Sequence, residues 1–304
     1  MPASPATSCG SAARACWAPD VAVRILTQSP SLAPLFARAA LTSRGRGGSL
    51  PDTTLRREGI AVDRDHLLAY QRVCGFGVSD VLPHTYPHVL GFSLQVALMA
   101  ERAFPLPLPG LVHLENVITV HRTLTTNDRL DVAVHAQDLR PHPKGRLVDL
   151  VTVVDVQGER VWEGRSTYLR RGSGDSGAPV GEAAPPLPEG AASGRLRVPE
   201  RQGRAYAAVS GDVNPIHLHA LSAKAMGFPR AIAHGMWTAA RTLAVLGARS
   251  AAPSTSHVWF AKPVLLPSTV EFVVDDTTDP VVVGLRSAKD ATLRHLTLSL
   301  HLSG

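Results

Sequence analysis

The chain has 304 residues, 44% of them hydrophobic and 18% charged, enough for one large domain or two of about 120 residues, each with its own core. The formal charge is +6, yet only four of the 31 basic residues are lysine and the arginines are scattered. Aromatics make up 5% and do not interleave with the basic residues, so there is no stacking platform for bases, and nucleic acid is excluded as a partner.

A mild positive field suits a substrate that carries phosphates. The longest apolar stretch, Val89 to Ala100, is broken by Ser93 and Gln95 and is too short to cross a bilayer, so no membrane segment is expected. The three cysteines, Cys9, Cys16 and Cys74, lack metal-ligand spacing and make an odd number, which favours a reducing, cytoplasmic setting over a disulfide framework.

At the N-terminus the first 19 residues contain no acid. No charged start is followed by an apolar run, which argues against a secretory signal. The segment reads as a disordered extension, with an organellar transit peptide as the alternative. Ser31 to Thr42 can form a short helix with Leu32, Leu35, Phe36 and Ala39 on one face. Residues 44–52 (RGRGGSLPD) are loose, and residues 1–52 together are taken as a partly disordered extension. Removing residues 1–45 is therefore expected to leave activity largely intact.

Beyond the extension the chain reads as two similar halves. Tyr70-Gln-Arg-Val-Cys-Gly75 matches Tyr206-Ala-Ala-Val-Ser-Gly211. Apolar helix candidates follow, Val89–Ala103 in the first half and Gly235–Leu246 in the second, and each precedes a run of strands. In the first half these are Val112–Val120, Leu130–Ala136, Leu147–Asp155 and Val161–Leu169. In the second they are His257–Phe260, Val270–Val274, Val281–Arg286 and Leu293–Leu302. Between the halves, residues 172–195 are almost entirely Gly, Ala, Pro, Ser and acids, the composition of an interdomain linker. The fold class is α+β: a buried helix followed by antiparallel strands, a sheet wrapped around a helix, built twice.

The chemistry-bearing stretch runs from Tyr206 through Ser210-Gly-Asp212-Val-Asn214-Pro-Ile-His217 to Gly227-Phe-Pro-Arg-Ala-Ile-Ala-His234-Gly235-Met. Pro215 biases Asn214 away from helix, so the polar cluster is a structured loop. Taken alone, an Asp and a His five positions apart read as a turn with a capping Asp. The full pattern resembles the MaoC-like family of (R)-specific enoyl-CoA hydratases and 3-hydroxyacyl-thioester dehydratases. It does so without a gap over about thirty positions, from Tyr-x-x-x-Ser-Gly-Asp-x-Asn-Pro-Ile-His through Gly-Phe to Ile-Ala-His-Gly-Met. The duplication is similar to the double-hotdog members of that family.

The resemblance implies two tandem hotdog domains that pair within one chain. Residues 53–171 would be a non-catalytic half and 196–304 the catalytic one, with room left for a homodimer of such chains. It also implies Asp212 and His217 as the acid–base dyad. Adding water to an enoyl thioester needs a base for a water proton, an acid for the α-carbon and donors for the charge that builds on the thioester oxygen. Gly235, at the start of the second-half helix, resembles the family's oxyanion donor, and its missing Cβ lets the thioester approach. Asn214 is read as orienting the loop or the water, Ser210 as a hydrogen-bonded loop residue, and His234 as a packed histidine that holds the turn.

No metal and no cofactor are expected, even though His217, His219 and His234 could be drawn together as ligands. The substrate is expected to be an acyl-CoA or acyl-carrier-protein thioester. In the first half Phe76 stands at the place of Asp212, Val81 near the place of His217, and Phe92-Ser93 at the place of His234-Gly235. Asp80, His84 and His88 do not reproduce the dyad spacing. Two other readings remain open, a hotdog acyl thioesterase and a non-catalytic acyl-carrier or lipid-binding module.

Overall fold

The structure is a computed structural model that describes residues 22–42, 45–277 and 279–303. Cys9, Cys16 and the acid-free leader lie outside the described residues. Among the described residues, eleven strands form one continuous sheet, assembled from two copies of the same pattern. After β1 (Ala22–Ile25), the first half contributes β2 (Thr53–Ala61), β3 (Leu111–Val120), β4 (Arg129–His142), β5 (Gly145–Val156) and β6 (Glu159–Arg171). The second contributes β7 (Gly194–Val198), β8 (Ser254–Phe260), β9 (Ser268–Asp275), β10 (Val281–Ser287) and β11 (Arg294–Leu302).

The strand order is β1-β2-β4-β5-β6-β3-β8-β11-β10-β9-β7. Read outward from the centre, β3-β6-β5-β4-β2 repeats as β8-β11-β10-β9-β7. The halves meet where β3 and β8 pair antiparallel, with Val117 opposite His257 and Val120 opposite Ser254. The eight strands expected from alternation are all present. Sequence reading missed β1, β2 and β7: β1 and β7 are the short strands at the two edges of the sheet, and Arg56, Arg57 and Glu58 in a row break the apolar alternation of β2.

Each half curls around one helix. In the first this is α3 (Tyr86–Ala100), preceded by α2 (Arg64–Cys74). In the second it is α7 (Gly235–Ala244), preceded by α4 (Gln202–Ser210), α5 (Pro215–Leu218) and α6 (Ala220–Ala225). Helix α3 is apolar nearly all round and packs on β4 and β5, so twelve of its fifteen residues are buried.

The repeated Tyr-x4-Gly motif forms the end of α2 and of α4. Each helix stops on a left-handed glycine, Gly75 at φ 77° and Gly211 at φ 73°, a backbone that other residues adopt only at a cost. Tyr70 and Tyr206 stand beside each other, ring centroids 6.3 Å apart. The halves also cap each other's helices. His66 of α2 bonds the Val209 carbonyl at 2.9 Å, and Trp237 of α7 donates to the Val73 carbonyl at 3.0 Å.

Two expectations about the periphery need correction. The segment read as a loose extension contains β1, which pairs parallel with β2, and α1 (Leu32–Leu41), which packs on α3. Leu32, Leu35 and Phe36 reach the core, and Arg46 donates to the Met99 carbonyl at 2.9 Å. A ten-residue amphipathic helix lacked a visible partner in the sequence; α3 supplies it. The linker carries no regular element over 172–193, as its composition dictates, yet it lies against the sheet. Trp259 donates to the Glu182 carbonyl at 3.2 Å and Leu187 rests on Gly284. Trp259, Thr297 and Gly284 lie side by side on one face. This is why Thr297 and Ser299 on β11 are buried along with Leu296, Leu298 and Leu300.

Candidate active site

The site is built between the end of α4 and the start of α7. Past Gly211 the chain leaves the helix and Asp212 begins a chain of short-range bonds. The Asp212 N–H donates to Ser210 Oγ at 3.2 Å, and the Asp212 carboxylate accepts from the Asn214 N–H at 3.2 Å. Ser210 in turn donates to the Tyr206 carbonyl at 2.9 Å, so its hydroxyl is committed to the loop. Asn214 caps α5 by accepting from the Ile216 N–H, with Pro215 at the first helical position. That single turn swings His217 inward until its side chain is 7% exposed.

His217 Nδ1 lies 2.9 Å from the Ile232 carbonyl oxygen. A carbonyl only accepts, so Nδ1 carries the proton and Nε2 keeps its lone pair. Burial lowers the His217 pKa, while the Asp212 carboxylate and the Ile232 carbonyl pull it up. The imidazole is thus held neutral near pH 7 with a free basic nitrogen.

His234 stacks on His217 with ring centroids 3.7 Å apart. Its Nε2 donates to the backbone carbonyl of Asp212 at 2.9 Å, and the Asp212 carboxylate lies 3.8 Å from the same nitrogen. Burial first, then the charge of His217, drive its pKa well down. His234 therefore clamps the Asp212 loop onto the N-cap of α7. Gly235 follows at the first position of that helix, where N–H groups have no intrahelical acceptor and the dipole is positive. A Cβ there would stand 3.3 Å from the Phe260 ring, so any larger residue at this position would crowd that ring.

Donor atoms of Asp212, His217 and His234 all lie within 4.8 Å of one another, the clustering that a metal would need. One nitrogen of each imidazole is already bound to a carbonyl. His219 caps α6 and is exposed, so the His217-x-His219 pair does not converge.

The first half contributes more to this site than sequence reading allowed. Asp212's charge reaches His88 on α3 and Tyr168 on β6. His88 is held to about 4 by burial, against the pull of Asp212. His113 on β3, held to about 3 by burial and then by His88, stacks on Tyr168 at 4.5 Å and lies 4.9 Å from Phe260. A row of rings thus leads from Gly235 through Phe260 and His113 to Tyr168. Nothing local marks these residues, since their role arises only when β3 pairs with β8.

The assumed correspondence between the halves also changes. Ile232 bridges Leu265 just before α7, and Val81 bridges Thr125 just before α3. Leu82 N–H donates to Leu124 as Ala233 N–H donates to Val264. Val81 therefore corresponds to Ile232, and Phe92-Ser93 lie inside α3, seven residues past its N-cap Thr85. Between the left-handed glycine and the bridge the first half has five residues and the second has twenty. The first half has not exchanged the dyad for apolar residues; the segment that would carry it is missing.

The sequence profile of the MaoC like domain family matches residues 188–291. The chain is 39% identical over 254 residues to 3-hydroxyacyl-thioester dehydratase X of Mycobacterium tuberculosis, covering 82% of this chain and 90% of that protein. It is 29% identical over 195 residues to the peroxisomal enoyl-CoA hydratase 2 of Arabidopsis thaliana, covering 59% of this chain and 62% of that protein. The crystal structure of HtdX of M. tuberculosis superposes with a TM-score of 0.72 at 36% identity, over 82% of this chain and 100% of that one. With the double-hotdog fold, the uninterrupted motif and these relatives in agreement, the chain belongs to the MaoC-like dehydratase family.

Proposed function

We propose that the protein catalyses the reversible hydration of a trans-2-enoyl thioester to the (3R)-3-hydroxyacyl thioester, at one site per chain in the second half. The observation that carries this reading is the tautomer of His217. With Nδ1–H fixed on the Ile232 carbonyl, Nε2 is a free base beside the Asp212 carboxylate.

In the hydration direction a water held between Asp212 and His217 loses a proton to this pair as its oxygen bonds to C3. The electrons of the double bond move onto the thioester oxygen, where the Gly235 N–H meets the developing charge. A proton returned from the pair to C2 completes the addition. General acid–base groups are typically worth about 10²–10⁴-fold each. Every step is a proton transfer or an addition, so the chemistry calls for no redox group and no metal. A reducing compartment such as the cytoplasm suits the free, buried Cys74.

The test uses a trans-2-enoyl-CoA with two readouts, loss of enoyl absorbance and release of free thiol, followed by chiral analysis of the product. Loss of absorbance with a (3R) alcohol is expected. Thiol release would favour a thioesterase instead, and a (3S) alcohol would rule out the assigned face of attack.

A further inference from the structure

The half that carries no dyad presents, on the inner face of its β3–β6 pair, polar side chains whose hydrogen bonds are incomplete. On β3 the alternation Asn116, Ile118, Val120 points inward, with Ile118 and Val120 in the core. Strict alternation would turn His113 to the opposite face along with Glu115, which reaches His257 at 3.3 Å. A register shift between His113 and Glu115 prevents this. His113 pairs with Tyr168, Glu115 with Thr167 and Asn116 with Ser166. His113 therefore shares its face with Asn116, Ser166 and Tyr168. Bulges of this kind re-aim side chains beside functional sites.

Two atoms on this face lack a partner. Asn116 is 1% exposed, and its Nδ2 donates to Ser166 Oγ at 2.9 Å. Its Oδ1 accepts from no described group. His113 Nε2 is likewise shielded from solvent and has no hydrogen bond to a described residue. Polar atoms buried without a partner are costly and rare, and two neighbours on one face call for a ligand group that completes them.

This face borders the catalytic chamber. The His113 ring lies between Tyr168 at 4.5 Å and Phe260 at 4.9 Å, and Phe260 is the ring that a Cβ at Gly235 would meet. The charge of Asp212 reaches Tyr168. All three rings are partly exposed, as rings that line a space are and core rings are not. With the thioester oxygen at the Gly235 N–H and C3 at the dyad, an acyl chain that continues past C3 runs out against this first-half face.

We propose that His113 and Asn116 form an acyl-selecting site that takes enoyl thioesters bearing a hydroxyl beyond C3 in preference to plain alkyl chains. The proposal rests on the thioester hydratase reading above. Asn116 Oδ1 only accepts, whereas an imidazole nitrogen accepts or donates according to its tautomer; a hydroxyl, which does both, can satisfy the two together. An alkyl chain would leave both atoms unpaired, and a chain ending in a carboxylate would bring a second negative charge beside Asp212. Sites built to bond a substrate hydroxyl discriminate strongly against the analogue that lacks it.

The experiment measures kcat/KM on the full chain for trans-2-octenoyl-CoA and for its analogues hydroxylated at C5, C6, C7 or C8. The best hydroxylated analogue is expected to exceed octenoyl-CoA by about 10-fold or more, the worth of satisfying one buried acceptor. In His113→Phe, which keeps a ring in the stack, and in Asn116→Leu, this ratio should fall toward one. His113→Gln, which restores an amide, should recover part of it. The two sites are tested independently, so a variant that fails to fold leaves the other to decide. Octenoyl-CoA turned over as well as or better than every hydroxylated analogue by the wild type would overturn the proposal and leave the hydratase reading intact. So would an equal fall for all five thioesters in folded His113→Phe, which a merely structural role predicts. Turnover of none of the five by the wild type would instead overturn the hydratase reading itself.

Discussion

Gly203 on α4 packs directly against the backbone carbonyl of His217, so closely that a Cβ at position 203 would overlap it. The dyad histidine is thus placed partly by the absence of a side chain one helix away. Gly203→Ala must push α4 and α5 apart, an overpacking cost of about 1–3 kcal/mol. The expected outcome is a lower melting temperature together with a fall in kcat larger than the change in KM. An alanine variant with wild-type kinetics would show that the loop tolerates displacement.

Asp212→Asn and His217→Ala should each lower kcat by about 10²–10⁴-fold with the fold retained. Circular dichroism and steady-state turnover on one enoyl-CoA suffice to check it. A well-folded variant within a few-fold of the wild type would remove that residue from the chemistry.

The charge of Asp212 raises the His217 pKa while burial, the larger effect, lowers it below the ordinary value near 6.5. Hydration needs the neutral imidazole, so kcat/KM should fall on acidification with a midpoint below 6.5. Replacing Asp212 with Asn removes the raising influence. An NMR titration of His217 in that variant should give a lower pKa than in the wild type; a rise would mean that the carboxylate does not face the ring.

Stability should fall with acid for a separate reason. His84 and His88 are held to about 4, and His113 to about 3, chiefly by burial. Unfolded, each titrates near 6.5, so between about pH 6.5 and 4 the unfolded chain binds more protons. Depressed native values mean that stability is fully present above 6.5 and is lost as pH falls through this window. Denaturant midpoints measured from pH 7 to 4.5 should decline, and less steeply in His84→Asn, whose amide can still meet Ser256, the 2.9 Å partner of His84 Nε2.

Much of this was legible beforehand, and the reasons are local. The strands declared themselves by alternation, and the dyad loop by an unbroken motif whose turn chemistry is written in Gly211, Asn214 and Pro215. What stayed hidden depends on distant pairing. Alignment of Tyr70–Gly75 with Tyr206–Gly211 was right, but carrying it onward residue by residue put Val81 opposite His217, because a missing segment leaves no trace in composition. His113 and Tyr168 are partners within the β3–β6 pair, but their place beside Phe260 and the site of the other half could not be seen until β3 met β8.

The docking of α1 revises the expected effect of truncation. Leu32 packs so closely over Gly211, the residue before Asp212, that a side chain there would overlap it. Deleting residues 1–46 strips this cover and the Arg46 bonds from α3, so turnover or soluble yield should drop. Leu32→Ala, a milder change, should reduce kcat while the chain still folds. Full activity in both would mean that the dyad loop holds its shape unaided.

The β3–β8 junction has a consequence for how the protein can change. In a dimer of identical chains, any substitution near the twofold axis is made twice, and a change that helps one side is imposed on the other. Here Val117 faces His257 and Val120 faces Ser254 as unlike partners, each written once in the gene. A mutation in His88 or Tyr168 can reshape the chamber around Asp212 without touching the residues that perform proton transfer. Inheritance can thus adjust the wall and the catalyst independently.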